Sequence, residues 1–505
     1  MLFTTILRIV AIAVFSLLVA KVLHVLATWW MHRRYLMQRV RMPSKPHWLR
    51  GHALAEDQLP SSRETFIEFS RKLPRMFLQQ MGPAYMFVAL SHPDTISEVM
   101  RTSPGKSEFI ARFIRIWLGN NLIYSKGKRW ERDHRMLSGV FTPDMRREYV
   151  GAFKDAASTL LGLWEGQVGR RLDVSRHFQL LTFDIILQCA MGAVTNCQAD
   201  GDPNSPTIRY SAALQEITDI IMNRFRQPWF YPDIVFLNSP TGRRFQKLLS
   251  ETHAFSEELI RERRALLQTD AADDDQGGHR HRDMLDIMLT ARDEDGIGLS
   301  DTDIREHVET FLFAGHDTTS STFQWIVCYL SQHQDVQERC RREVQDVLER
   351  CGGMENFAHE HLAELEYVTY TIQETLRVAS IVPFVLRVLG KETTVDGNSF
   401  FADTAFQLSI IGVHHNEEIW TDPHKFNPDR FSTNKGRQSP YAFIPFSCGT
   451  RACIGKHFAM DEMKTVLSMI LAKFRLLPAP DQDQPKWMMS MVVKPDPAVI
   501  MLEQL

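Results

Sequence analysis

The chain has 505 residues, 44% of them hydrophobic, with 31 Phe, 22 Met and 10 Trp, which suits a large ordered core and argues against disorder. Its formal net charge of -3 leaves no overall footprint for nucleic acid or another polyanion. The 7 cysteines are scattered, with no CxxC pair, which argues against a disulfide framework or a four-cysteine zinc site and fits a reduced, cytosol-facing location.

Length alone would suggest about three domains, but no Gly/Ser- or Pro-rich linker separates independent cores, so one large domain is expected. Near the N-terminus, Ile9 to Ala20 is uncharged and mostly apolar. The apolar character resumes after Lys21 and ends at Trp29 and Trp30. Counted across Lys21, the run reaches the roughly 20 residues that a bilayer requires. A lysine near the centre of a span costs about 2.5–3.5 kcal/mol unless its stem snorkels. Trp29 and Trp30 read as interfacial anchors, and His32, Arg33, Arg34, Arg39 and Arg41 place that end on the cytosolic side. Residues 1–31 are therefore expected to be a single membrane anchor. A cleaved signal peptide lacks a clear small-residue cleavage site here, and a basic mitochondrial presequence is the minor alternative. Residues 32–52, punctuated by Pro43, Pro46 and Gly51, are expected to be a basic hinge, and 53–505 the folded body.

The body reads as mainly α with small β-sheets. Helical spacing and composition mark 245–268 and 333–350. FVLRVL and SFFADTAFQLSIIGV have strand character, and the polar run 270–282 is expected to be a solvated loop. The clearest helix should run from about 302 to 331, opened by a Ser300/Asp303 capping pair. Ile304, Val308, Phe311, Gly315, Thr318, Thr322 and Ile326 recur on one stripe of it. At roughly 45 Å it could cross the whole molecule.

Within that helix, FLFAGHDTTSST places a glycine, an acid and several hydroxyls where packing favours Leu or Ala. Gly costs about 1 kcal/mol against Ala in a helix interior. Two readings stand: a kinked core helix whose hydroxyls bond back to their own carbonyls, or a groove at Gly315 that admits a small ligand beside Thr318, with Asp317 as proton source.

FSCGTRACIG, 446 to 455, shifts the balance. Its spacing is Phe446-x-x-Gly449-x-Arg451-x-Cys453-x-Gly455. The glycines would let the backbone turn and aim N–H groups at sulfur, Phe446 would shield that sulfur, and Arg451 offers a bidentate partner for a carboxylate. These are the needs of an iron thiolate. Cys448 lies outside the pattern and reads as structural.

This loop, together with AGHDTT, resembles the cytochrome P-450 haem-thiolate monooxygenases, and the likeness extends over most of the chain. HVETFLFAGHDTTSS, DMLDIMLTARDEDG and PHWLRGHAL further resemble the microsomal branch known for fatty-acid ω-hydroxylation, usually called family four. The resemblance implies the P-450 fold, with a long central helix over haem b and Cys453 as the axial ligand of its iron. Glu374 and Arg377 of ETLR, with Arg430 of NPDRF, would form a buried ion network. Other E-x-x-R pairs, Glu68/Arg71, Glu258/Arg261 and Glu338/Arg341, read as solvated helix pairs. Trp130, a protonated His134, Arg387 and Arg451 would hold the haem propionates. Phe109, Phe113, Trp117, Val382 and Phe384 would line an apolar substrate pocket or else belong to ordinary core packing.

Two positions depart from the branch. Ala314 stands where many members carry a Glu esterified to haem, so the haem is expected without that ester link. His307 stands where an acid is usual. The expected reaction puts one atom of O2 into a C–H bond of an apolar substrate, most readily a fatty acid or related lipid, with a terpenoid or xenobiotic as alternatives. Electrons would come from NADPH through NADPH-cytochrome P-450 reductase, with cytochrome b5 as a further donor, at the endoplasmic reticulum membrane. Arg129, Arg132, Arg135 and Lys456 would flank the thiolate side, either steering an acidic partner or simply solvated. A haem-thiolate isomerase or dehydratase, or a non-catalytic membrane haem carrier, would share the cysteine loop but has no use for the Asp317–Thr318 pair.

Overall fold

The computed structural model of the chain describes residues 2–52, 62–83, 85–102, 105–273, 283–432, 439–480 and 485–505. The N-terminal helix spans Leu2–Arg39, and Phe15–Arg39 is long and apolar enough to cross a membrane. Arg33 and Arg34 lie over the rings of Trp29 and Trp30. The helix does not stop at residue 31. Leu36 and Val40 bury themselves against Leu78, Val88, Phe406 and Leu408, the Tyr35 hydroxyl donates to the Ser399 carbonyl at 2.6 Å, and Tyr35 stacks on Phe401. The first part of the expected hinge is thus a docked helical turn. Beyond Pro43 the chain bridges Gly51 to Met81 at the edge of the main sheet.

That sheet has five strands in the order Met76–Met81, Tyr85–Leu90, Ala405–Ser409, Phe384–Val388, Gly105–Lys106. All neighbours are antiparallel except Tyr85–Leu90 with Ala405–Ser409. The register sets Lys106 directly opposite Arg387. Both expected strand segments are present, but Ile410–His414 closes the second as a short helix.

The other elements are mostly helices. Those read at 245–268 and 333–350 are observed as Pro240–Asp273 and Gln334–Cys351. Residues 270–273 continue the first of these, and 274–282, the rest of the expected loop, lie outside the described residues. The central helix spans Asp301–Gln332, and the Ser300/Asp303 capping box is complete in both directions. It is buried along most of its length beside the Ser175–Met191 helix. Phe178 stacks on Phe323, and the Thr182 hydroxyl donates to the His316 carbonyl.

Glu374 and Arg377, on the Glu366–Ala379 helix, are fully buried. Arg377 donates twice to Glu374 at 2.8 Å and also to the carbonyls of His414 and Pro423. Arg430 Nε and Asn427 N donate to the same Glu374 oxygen at 3.0 and 2.8 Å. One carboxylate therefore gathers the helix and the coil that leads to the cysteine loop. Glu338/Arg341 departs from the solvated reading. Arg341 is buried, and besides Glu338 it donates to the Leu471 and Phe474 carbonyls, because its helix packs on the Lys456–Lys473 helix.

Removing one member of such a buried cluster leaves an uncompensated charge. Arg377→Met should cost about 3–5 kcal/mol, read as a lower denaturation midpoint and a collapse in folded yield. Arg261→Met, at an exposed pair, should leave both near wild type.

Candidate functional site

Two segments far apart in sequence meet across one cavity of about 310 Å³. Ala314, Gly315 and Thr318 of the central helix line one side, and Phe446, Cys453 and Gly455 of the cysteine loop line another. Leu122, Ile123, Val382 and Val385 make the walls apolar, and Lys106, Trp130, His134 and Arg451 supply the polar groups.

The loop's shape follows from its residues. Gly449 adopts φ +72°, a left-handed backbone that favours glycine, and a Cβ there would also displace the flexible end of Met100, 2.6 Å away. Gly449–Arg451 forms a single 3₁₀ turn, and Cys453 N donates to the Phe446 carbonyl at 2.9 Å. Gly455, at φ −85°, is not needed for a left-handed turn and stands at the N-cap of the Lys456–Lys473 helix. Cys453 is exposed to the cavity, and the desolvating walls around it raise its thiol pKa, which the Gly455 backbone, Lys106 and Lys456 only partly offset. A bound metal cation would complete the deprotonation. Cys448 is partly buried against the smaller core cluster, as its structural reading expects.

The central helix runs without a break through Gly315. Its hydroxyls do bond back: Thr318 donates to the Ala314 carbonyl at 2.9 Å and Thr322 to that of Thr318 at 2.8 Å. A Cβ on Gly315 would meet Ile186 Cδ1 at 2.7 Å. Gly315 thus lets Ile186 of the neighbouring helix approach, and both residues line the cavity beside Thr318. Asp317 is also placed differently from expectation. It is buried, does not line the cavity, and lies 2.7 Å from Lys494 Nζ on the Val493–Asp496 strand. Lys494 in turn donates to Gln215 Oε1.

Of the five residues expected in the substrate wall, Val382 lines this cavity. Phe109 stacks on Tyr85, Phe113 packs on Phe225 and Tyr231, Trp117 on Phe313, and Phe384 on Phe66. Arg129 pairs with Asp303, Arg132 with Asp133 and Arg135 with Glu294. Among the described residues, Lys456 alone of the four expected steering cations has no acid within ion-pair distance.

The polar edge of the cavity holds like charges. Arg451 lies over the Trp130 ring at 3.9 Å and donates to the Ser125 carbonyl, leaving Nη1 buried without a partner. Arg387 is not on the cavity wall. It stands behind Lys106 and Ser447, donates to Ser447 Oγ at 2.9 Å, and keeps Nε buried without a partner. Like charges directly opposite each other across strands are unfavourable. Burial, then Arg387 and Arg451, hold Lys106 well below the usual lysine range, and burial followed by Arg387 brings Arg451 down to about 10. No carboxylate pairs with any of the three among the described residues. The edge is built for an anion that the chain does not itself supply. Burial and then Arg451 lower the His134 pKa, which works against the charged form that the expected role relies on.

The cytochrome P450 family model matches residues 41–502. The chain is a cytochrome P450. It is 36% identical over 455 residues to rat (Rattus norvegicus) "Cytochrome P450 4F6", covering 88% of this chain and 83% of that protein. It is 34% identical over 455 residues to the mouse (Mus musculus) "Leukotriene-B4 omega-hydroxylase 3", covering 88% and 85%. With the pig (Sus scrofa) "Taurochenodeoxycholic 6 alpha-hydroxylase" it shares 35% over 458 residues, covering 90% and 89%. It is a haem-thiolate monooxygenase of the family-four branch. The residues present fit the group this P450 would carry: a cysteine sulfur on one wall, an apolar chamber, and unpaired cations at the edge for the haem carboxylates. Lys106 and Lys494 carry no motif; Lys106 could be found only through its register with Arg387. Asp133 on the facing helix explains why this P450 accepts His307, whose Nε2 lies 3.5 Å from that carboxylate.

His316, fully buried beside Asp317, is brought down to about 4, chiefly by burial. The folded state therefore binds fewer protons than the unfolded chain below the ordinary histidine value of 6.5. That contribution is complete above 6.5 and is lost as pH falls towards 4, up to on the order of 3 kcal/mol. Guanidinium midpoints should drop across that window, and less steeply in His316→Asn.

Proposed function

We propose that this P450 hydroxylates an acyl chain or related lipid, with Cys453 as the iron ligand and Asp317 and Thr318 moving protons on the opposite side. The observation that carries it is that Cys453 and Thr318 line one and the same apolar cavity. The names of two relatives, a leukotriene hydroxylase and a taurochenodeoxycholic hydroxylase, support a lipid substrate.

When bound, haem supplies reductive O2 chemistry, one oxygen atom going to a C–H bond and the other to water. The protein's own work is to hold, exclude and deliver. Lys106, Arg451, Trp130 and His134 would bind the propionates by hydrogen bonds, with Arg387 behind them. Phe446 and Gly455, which line the cavity with Cys453, would shield the sulfur once haem is bound. Thr318 gives its hydroxyl proton to the Ala314 carbonyl, so it must rotate about χ1 to present that proton to the cavity. Asp317 is held away from the cavity by Lys494, so it resupplies Thr318 only after leaving the ammonium. Lys494 thereby limits when protons reach the site.

Electrons come from NADPH through the membrane-bound flavin reductase, with cytochrome b5 as a further donor. Lys456, exposed at the start of its helix, remains for an acidic partner. The Phe15–Arg39 stretch and the arginines that follow Trp30 support a membrane-anchored enzyme with its body in the cytosol, and the endoplasmic reticulum is the membrane we assign it to.

The reduced, CO-bound wild-type protein should show the red-shifted band of a thiolate ligand, and Cys453→His should lose it; a wild-type spectrum without that band overturns the ligand assignment. With reductase and a fatty acid, Lys494→Met should consume NADPH at least as fast as wild type but convert less of it into hydroxylated product, because proton timing is lost. Unchanged coupling would remove Lys494 from the mechanism.

A further inference from the structure

We propose that His307 and Asp133 form a buried latch between two helices that positions Trp130 and His134, and so sets how tightly this P450 retains haem. The inference rests on the haem assignment above.

His307 is on the central helix and Asp133 on the Gly127–Ser138 helix, and neither side chain has any exposure. Residues 307, 311, 314 and 318 share one helical stripe, so His307 sits two turns before Ala314 on the face that borders the cavity. On the other helix, Trp130 and His134 lie three residues before and one after Asp133, and both line the cavity. The two side chains thus meet where the helix carrying the propionate-binding groups abuts the helix carrying Thr318.

The hydrogen bonding there is half complete. Asp133 Oδ1 accepts from Arg132, with contacts of 2.9 and 2.8 Å. Asp133 Oδ2, both His307 ring nitrogens and Arg129 Nε are buried without a hydrogen-bond partner. Such orphans are unfavourable in a buried site, and three of them converge on one point. His307 Nε2 and Asp133 Oδ2 are 3.5 Å apart, and Arg129 Nε is 3.6 Å from that oxygen. A closing shift of a few tenths of an ångström joins donor to acceptor. Burial pushes the Asp133 carboxyl up, but His307 and Arg132 more than offset it, which keeps the acceptor anionic. Arg129 extends the contact to Asp303 at 2.6 Å and Glu306 at 3.6 Å, one turn earlier on the central helix.

The test measures haem transfer from the purified holoenzyme to excess apomyoglobin. His307→Leu and Asp133→Asn should each speed haem loss about tenfold, the size typical of residues that orient a metal-site shell. The double variant should be no faster than the faster single one, while His307→Gln, which keeps an N–H donor of similar reach, should stay close to wild type. In a Trp130→Ala/His134→Ala background, His307→Leu should add nothing. Should His307→Leu give no holoprotein, His307→Asn makes the comparison, since its amide is too short to span the gap: it should lose haem faster than His307→Gln. Additive effects in the double variant, equal rates for Asn and Gln, or an undiminished effect without Trp130 and His134 would each overturn the latch. A wild-type CO spectrum lacking the thiolate band would overturn the haem assignment instead.

Discussion

The carboxylate of Glu374 is the point on which the catalytic half of the molecule depends. It is fully buried and accepts from Arg377, Arg430 and the backbone of Asn427, while both arginines spend their other N–H groups on carbonyls of the 414–425 coil. Such a cluster gives little net stability relative to an apolar core, since desolvation offsets most of the attraction. What it fixes is geometry. A long irregular segment with few hydrophobic anchors of its own is held against a helix, and the cysteine loop follows directly from it.

The second determinant is close approach. Gly315 lets Ile186 approach the central helix, and Gly449 lets the loop turn beneath Met100. Gly315 borders the cavity, and Gly449, held at positive φ, shapes the loop that brings Cys453 to it. The chamber is thus defined by where the chain omits side chains as much as by those it presents. Around its edge the pattern reverses, with Lys106, Arg387 and Arg451 crowded together at an electrostatic cost that only an anionic guest relieves.

Much of this was legible in the sequence. Hydrophobic periodicity and the Ser300 cap placed the central helix within a residue of its observed ends, because that signal is local. The spacing in FSCGTRACIG identified the loop, because the turn and the sulfur's surroundings are both made within ten residues. Tertiary partners were not legible. Nothing in the sequence near Asp317 announces Lys494, which arrives from a strand near the C-terminus. Nor does the pattern at Phe109, Phe113 or Trp117 reveal that these rings pack on other aromatics. Charge counting around Trp130 suggested free arginines, whereas folding supplies Asp303, Asp133 and Glu294 to neutralise them. The hinge reading failed at Tyr35 and Leu36 for a related reason: a basic, proline-bordered stretch looks mobile until the sheet that covers it is known.

That docking ties the end of the N-terminal helix to the body by side-chain contacts as well as through the chain: Leu36 and Val40 pack with the sheet residues and Tyr35 stacks on Phe401. The same seam bears on how a detergent-free form is made. Cutting the chain before Tyr35 leaves the seam whole, whereas cutting after Val40 strips the cover from Leu78 and Phe406 and exposes an apolar sheet face to solvent.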